Sequence, residues 1–509
     1  KTRKRIRIPC PLDPSHSIYQ DMVEKHIQVC PHGKKRRRLQ DEPFYVENVN
    51  TGGFGGRGDD KTANYPCSDD STRSNISSKE VKLWAQRLAR RVLQVHQSVF
   101  SEKPFEKDVS ALTFDDIHDI LPLTDVSQPE LDAGIQNGFQ SHHIKSGGTR
   151  HIPQLASLIG HLRLMKVLEE EPKNQDGDRD AIKATMTASS NRKDLQPLVL
   201  IDMGAGRGMF GLAAAGAATD SYIRTRVHLI MVERTGSRSK AEKAFRNIPK
   251  NADTSYLNLQ NVKWSRCACD LAHVNLPVLL QGEEYKDAKV VVLAKHLCGA
   301  GTDLALKSLA DIPVDACLFA TCCHGICDWK HYVGREYLRA EMQRKCSTTD
   351  EAVDDMRHVQ FGAAEFDLLR RWCAASVSSG HGNDTETRKG LPNIERFARG
   401  NEEAEHPACV PSEIDSIGGK ERNYHLSIAS TVRETGLSCG IKGLGRACKQ
   451  LIDFGRHQYL QSRIFGAENE NCTVKISHYV PSTVSPENTA IWGYTNWEDR
   501  DRSGTQSGK

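Results

Sequence analysis

Apolar residues recur at helical spacing from residue 80 to about Phe100, at Val81, Trp84, Leu88, Val92 and Val95, and the pattern repeats over residues 151–168. Both segments are predicted to be helices. Further along the rhythm changes. Short apolar runs at residues 198–203, 229–232, 290–293 and 316–320 are separated by segments long enough for a helix. Alternation of that kind predicts a parallel sheet with crossover helices. A glycine-containing helical stretch at 437–460, a strand candidate at 473–480 and a last apolar run at 490–494 follow, and these are expected to close the sheet.

Between the patterned regions lie stretches with no sustained periodicity. Residues 40–78 are rich in Gly, Asp, Asn and Ser and are read as a linker. Polar insertions are expected at about 170–194 and 376–422, looped out of a domain spanning 80–495, and the tail at 496–509 is expected to fray. No internal repeat is found. At 509 residues the chain exceeds what one hydrophobic core usually serves, so one large domain with insertions plus a small module is expected.

Charge changes this picture at one end. The net charge is only +4, but residues 1–40 hold eleven Lys or Arg against three Asp or Glu, leaving the remainder net acidic by four. A basic arm of this kind suits a polyanionic partner, because neutralising phosphates releases counterions whatever the sequence; a solvated basic tail would look the same. The sixteen cysteines follow no signal peptide and lack the spacing of a secreted disulfide scaffold, which points to a reducing compartment. No run of about 18 apolar residues offers a membrane span.

Chemistry enters at the end of the first strand candidate, in Ile201-Asp202-Met203-Gly204-Ala205-Gly206-Arg207-Gly208. An acid and three alternating glycines between a strand and an Ala-rich helix make a tight turn that lets backbone approach a ligand closely. The spacing differs from the dinucleotide fingerprint, whose third glycine lies one position later, and is the version common in methyltransferases. The next strand ends at Val232-Glu233, where a carboxylate can accept from both ribose hydroxyls of a nucleoside cofactor. A third strand ends near Cys269-Asp270, where an acid suits an adenine amino group. Asp202, Gly204, Ala205, Gly206, Gly208, Glu233 and Asp270 are thus the candidate cofactor-binding set.

At the N-terminus Cys10, His16, His26 and Cys30 form a second constellation. His26 and Cys30 fall at i, i+4 on one face of a helix predicted over residues 19–30, and Cys10 and His16 come from the Pro-rich turn before it. Four such ligands complete a closed structural Zn²⁺ site. Residues 1–38 are therefore taken as a zinc finger with a basic patch. Cys322, Cys323, His324 and Cys327 also invite a metal reading, which is disfavoured because adjacent cysteines do not easily both reach one tetrahedral ion from a strand end.

The order Gly-Ala-Gly-Arg-Gly, Val232-Glu233-Arg234, Ala294-Lys295-His296-Leu297-Cys298-Gly299 with Thr302-Asp303-Leu304, and Cys322-Cys323-His324 with Cys327-Asp328-Trp329 resembles the eukaryotic tRNA 2′-O-methyltransferases of the tRNA:m4X modification family. Phe361-Gly362 with Glu365-Phe366, Cys448-Lys449 with Leu451-Ile452-Asp453 and Gly455-Arg456, and Ser485-Pro486-Glu487-Asn488 extend the match, so the resemblance spans most of the chain. The N-terminal constellation resembles the CHHC finger of the same family and of a minor-spliceosome protein. Members usually carry a further finger upstream; together with a first residue that is Lys1 rather than Met, its absence is consistent with truncation.

The resemblance implies a Rossmann-like class I methyltransferase fold, a mostly parallel seven-stranded sheet, with S-adenosylmethionine as cofactor and the acceptor stem of tRNA as partner. The acceptor is the ribose of the stem's fourth nucleotide. On that reading His296 accepts or steers the 2′-hydroxyl proton, and Lys295 holds the developing oxyanion or a phosphate. Arg456 is a second-tier candidate for a phosphate and Asp453 for orienting a partner. Nucleus or cytoplasm is the expected location, and the run Lys34-Lys35-Arg36-Arg37-Arg38 also reads as an import patch. The alternatives are a methyltransferase of another RNA or of protein, and a non-catalytic zinc-finger RNA-binding protein.

Overall fold

Alternation along the strands decides the architecture. Leu198, Leu200, Leu229, Met231, Leu293 and Leu318 enter one buried cluster, while Val199, Ile201, Ile230, Val292, Cys317 and Phe319 enter another. A sheet whose strands are apolar on both faces must be covered on both faces. The structure, a computed structural model, describes residues 5–51, 78–101, 108–124, 134–139, 151–168, 197–220, 226–234, 242, 245–246, 259, 262–295, 297–344, 361–375, 436–467 and 469–496. The expected insertions at about 170–194 and 376–422, most of the predicted linker, the tail beyond Asn496 and the single residue His296 lie outside them.

An N-terminal hairpin pairs β1 (Arg7–Cys10) with β2 (Asp13–Tyr19), and helices α1 (Val23–Val29) and α2 (Pro31–Gln40) follow. Helix α3 (Ser78–Phe100), the short α4 (Phe114–His118) and α5 (His151–Leu164) precede the sheet. Seven strands then form one sheet: β3 (Leu198–Met203), β4 (Val227–Val232), β5 (Val262–Cys267), β6 (Lys289–Lys295), β7 (Ala316–Ala320), β8 (Cys472–His478) and β9 (Thr489–Thr495). Their order is β5-β4-β3-β6-β7-β9-β8, parallel through β7, with β9 antiparallel to both its neighbours. The strand order reverses direction between β3 and β6, the position at which open α/β sheets bind ligands beyond the strand ends.

Helices α5 and α6 (Met209–Asp220) cover one face, and α7 (Leu276–Leu279) and α8 (Ala300–Ser308) contribute to the other. A separate helical layer joins α3 to α9 (Arg335–Gln343), α10 (Ala363–Ala375) and α11 (Gly440–Tyr459), around Leu88, Phe366, Trp372 and Leu444. Helix α11 approaches the segment between β7 and α9 closely: a Cβ at Gly455 would lie 2.0 Å from the Tyr332 hydroxyl, which donates to Ile452 O at 2.9 Å.

The reading of residues 40–78 as a linker fails over its first dozen positions. Phe44 and Tyr45 pack on the sheet's second core cluster, and Tyr45 bridges Val274 in antiparallel fashion. Val46 N donates to His273 O, Asn275 N to Phe44 O and Asn50 N to Ala272 O, at 2.8 to 3.2 Å. The buried Asn50 side chain donates to Leu271 O at 2.7 Å and Val274 O at 2.8 Å. Polar composition concealed this strap, because beyond Phe44 and Tyr45 its backbone and one asparagine make the contacts rather than an apolar stripe.

Candidate functional site

Register brings the candidate residues to one edge. Met203 pairs with Val232 and Ala294, and Lys295 pairs with Ala320, so the loops after β3, β4, β6 and β7 leave the sheet side by side. Because β9 runs the other way, its first residues join them: Thr321 N donates to Thr489 O at 3.0 Å.

The glycine turn is shaped by groups behind it. Gly204, Gly206 and Gly208 have φ of 63°, 50° and 70°, a region only glycine enters cheaply. Among the described residues a Cβ added at Gly206 would meet nothing nearer than Gly204 O at 3.9 Å, whereas one at Gly204 would strike Leu297. Space for a ligand therefore lies over Gly206. Glu233 leans towards the turn, its Oε2 accepting from Gly206 N at 2.9 Å, and Ala205 N donates to Val232 O at 3.0 Å.

Asp202 plays a different part from the one its motif suggested. It is 2 % exposed and accepts from Gly211 N at 3.0 Å, bracing the start of α6 instead of facing a ligand. Burial pushes its carboxyl up to about 7, against the pull of the Gly211 hydrogen bond. Asp270 remains half-buried, accepts from Ala272 N at 3.0 Å and lies 3.9 Å from Arg234. Sequence reasoning missed Arg266, which donates to Gly206 O at 3.2 Å and to Glu242 at 2.6 Å. One arginine in a strand carries no signal that could have singled it out.

Lys295 closes β6 beside this turn. Burial lowers its pKa to about 8, while the neighbouring Cys322 and Asp202 favour the charge. His296, next in sequence, lies outside the described residues. Beyond them the sulfurs of Cys298, Cys322 and Cys323 converge: Cys298 Sγ is 3.2 Å from Cys323 Sγ and 3.9 Å from Cys322 Sγ. Adjacent Cys322 and Cys323 thus bring their sulfurs together with that of Cys298, all within 4.8 Å of one another. His324 and Cys327 turn inward, away from that trio.

Arg456 is a correction. It is 2 % exposed, its Nε and Nη2 fork onto Asp303 at 3.2 and 2.7 Å, and Nη1 donates to Asp453 at 3.1 Å. No RNA phosphate can reach a guanidinium enclosed in this way. Burial opposes its charge, but Asp303 holds the pKa well above the usual value. Asp453 is fully buried; it accepts from the Thr321 hydroxyl at 2.7 Å, and His324 Nε2 lies 2.9 Å away. Although burial would raise its carboxyl, His324 and Arg456 hold it below the ordinary range. The pair is an internal brace between α11, α8 and the loop after β7.

In the N-terminal module the donor atoms of Cys10, His16, His26 and Cys30 all lie within 4.8 Å of one another. The two Nε2 atoms are 3.0 Å apart and the two Sγ atoms 4.0 Å. Cys10 ends β1 and His16 lies on β2, so a hairpin, not a turn alone, delivers them; His26 is on α1 and Cys30 caps it. Two thiols and two imidazoles converging in this way suit Zn²⁺. Lys34, Arg36, Arg37 and Arg38 are exposed on α2, and Arg36 pairs with Glu47 of the strap at 3.0 Å. The strap thereby ties the finger to the loop that carries Asp270.

A doubly wound sheet of this order, with its glycine turn after the first strand and an acid closing the next, defines a class I methyltransferase. Residues 153–494 match the family described as Methyltransferase TRM13, and the chain belongs to that family. Residues 7–31 match the U11-48K-like CHHC zinc finger. The human tRNA:m(4)X modification enzyme TRM13 homolog is 24% identical over 97% of this chain and 87% of its own length. The Vanderwaltozyma polyspora tRNA:m(4)X modification enzyme TRM13 is 22% identical over 96% and 89% respectively. The rice enzyme of that name is 41% identical over 11% of this chain and 22% of its own. Among the described residues no helix is long and apolar enough to cross a membrane.

Proposed function

We propose that this chain is an S-adenosylmethionine-dependent tRNA methyltransferase that modifies the ribose 2′-oxygen of the fourth acceptor-stem nucleotide. The observation that carries the reading is the Glu233 carboxylate at the mouth of an open glycine turn, hydrogen-bonded to Gly206 N. A carboxylate there suits a ribose, and the open side of Gly206 suits close backbone approach by the donor. The relatives' names as tRNA:m(4)X modification enzymes support tRNA as substrate.

S-adenosylmethionine supplies the methyl on an already activated sulfonium. The protein's work is then alignment and proton handling. Gly204, Ala205, Gly206 and Gly208 form the cradle, Glu233 takes the ribose and Asp270 the adenine amino group. Lys295, one strand over, would offset negative charge on the 2′-oxygen as the O–CH3 bond forms, the S–CH3 bond breaks to leave S-adenosylhomocysteine, and the hydroxyl proton passes to His296. Asp453 orients the loop after β7 from beneath, through Thr321 and His324.

Zn²⁺ held by Cys10, His16, His26 and Cys30 stabilises a finger too small to have a sufficient core of its own. Its exposed basic helix extends the footprint over the acceptor stem, an A-form duplex recognised through phosphates and 2′-hydroxyls. This reaction belongs in the nucleus or cytoplasm, where tRNA is matured. Incubation with labelled S-adenosylmethionine and total tRNA, followed by nucleoside analysis, tests the assignment: label in 2′-O-methylnucleosides is expected, and label confined to bases or to protein would overturn it.

A further inference from the structure

We infer that Cys298, Cys322 and Cys323 form a second metal site, for a thiophilic d¹⁰ cation such as Zn²⁺, at the strand-end edge of the methyltransferase domain. Their three sulfurs lie within 4.8 Å of one another. At a Zn–S bond of about 2.3 Å, two sulfurs on one tetrahedral ion stand roughly 3.8 Å apart. The observed separations of 3.2 and 3.9 Å bracket that value, so small rotations of the side chains would admit the ion.

Where the thiols come from adds to the case. Cys298 leaves β6 and the other two leave β7, strands that are hydrogen-bonded neighbours with Lys295 opposite Ala320. An ion would pin the two loops to each other beside Lys295. Cys298 and Cys323 are exposed, which gives the ion a way in, and three soft sulfurs select Zn²⁺ over the hard cations that accompany RNA. Each thiol loses its proton to solvent as it ligates, with no change of oxidation state. Three protein ligands leave a fourth position for water or a substrate oxygen, the arrangement of zinc centres that are not purely structural. A disulfide between Cys298 and Cys323 would use the pair but leave the approach of Cys322 unexplained.

Metal analysis of the full chain, purified under a thiol reductant, tests the site. Two zinc ions per chain are expected. His26→Ala should remove one, Cys298→Ser combined with Cys323→Ser the other, and the three changes together both. After substitution with Co²⁺, the His26→Ala protein should keep thiolate-to-cobalt charge-transfer absorption, and the added serine changes should abolish it. A single zinc lost entirely with His26→Ala would overturn the inference, as would a Cys298–Cys323 disulfide in the metal-free chain as isolated.

Discussion

The Glu233 carboxylate accepts the backbone N–H of Gly206 at 2.9 Å, locking the end of the second parallel strand to the turn after the first. The carboxylate and the open side of the turn are therefore presented together. Any residue that disturbs Gly206 should disturb both.

Gly206→Val is expected to lower S-adenosylmethionine affinity at least about tenfold. Holding a non-glycine residue in the left-handed region costs roughly 1–2 kcal/mol, and a branched side chain would also enter the open space. Calorimetric titration measures the loss, and the zinc content of the finger should not change. Undiminished affinity would place the donor elsewhere.

Arg456→Ala should destabilise the domain by about 3–5 kcal/mol, because Asp303 and Asp453 would be left as buried charges. Denaturant unfolding reads this directly. Near-native stability with a selective loss of tRNA affinity would instead restore the arginine as a phosphate ligand.

Turnover should fall as pH rises through about 8, where Lys295 gives up its proton. The sign separates chemistry from unfolding. The folded pKa lies below the ordinary 10.5, so between the two values the unfolded chain binds more protons and this group's contribution to stability rises with pH. Single-turnover rates across that window, with unfolding followed in parallel, test the idea. Lys295→Arg should move the fall to higher pH; an unaltered profile would remove the lysine from the chemistry.

Asn50→Ala should release the strap, since two buried carbonyls, Leu271 O and Val274 O, lose their donor at a cost of about 1–3 kcal/mol. Limited proteolysis should then cut faster in the basic helix α2, and tRNA affinity should weaken while S-adenosylmethionine affinity holds. Unchanged cleavage would mean that the backbone contacts alone retain the strap.

Much of the architecture was legible because strands buried on both faces must read as apolar runs. Leu198–Met203 and Ala316–Ala320 were bounded as observed, and the other runs erred by only a few residues. The glycine turn and the CHHC set were legible for a related reason, since dihedral freedom and metal ligation each demand particular residue types at particular spacings. Pattern did not show where long-range polar contacts fall. Asp202 and Arg456 have the charges of ligand-binding residues yet spend them inside the fold, on Gly211 N and on Asp303. Cys298 lies 24 positions from Cys322, and only the parallel pairing of β6 with β7 brings them together.

The central claim, that a sulfonium donor's ribose rests on Glu233 over the glycine turn, is tested most directly by titrating S-adenosylmethionine into Glu233→Gln. Glutamine can still accept from Gly206 N, so the turn keeps its shape, but it cannot accept from two ribose hydroxyls at once. An affinity loss of about tenfold or more with unchanged thermal stability is predicted. Full affinity in the variant would contradict the account.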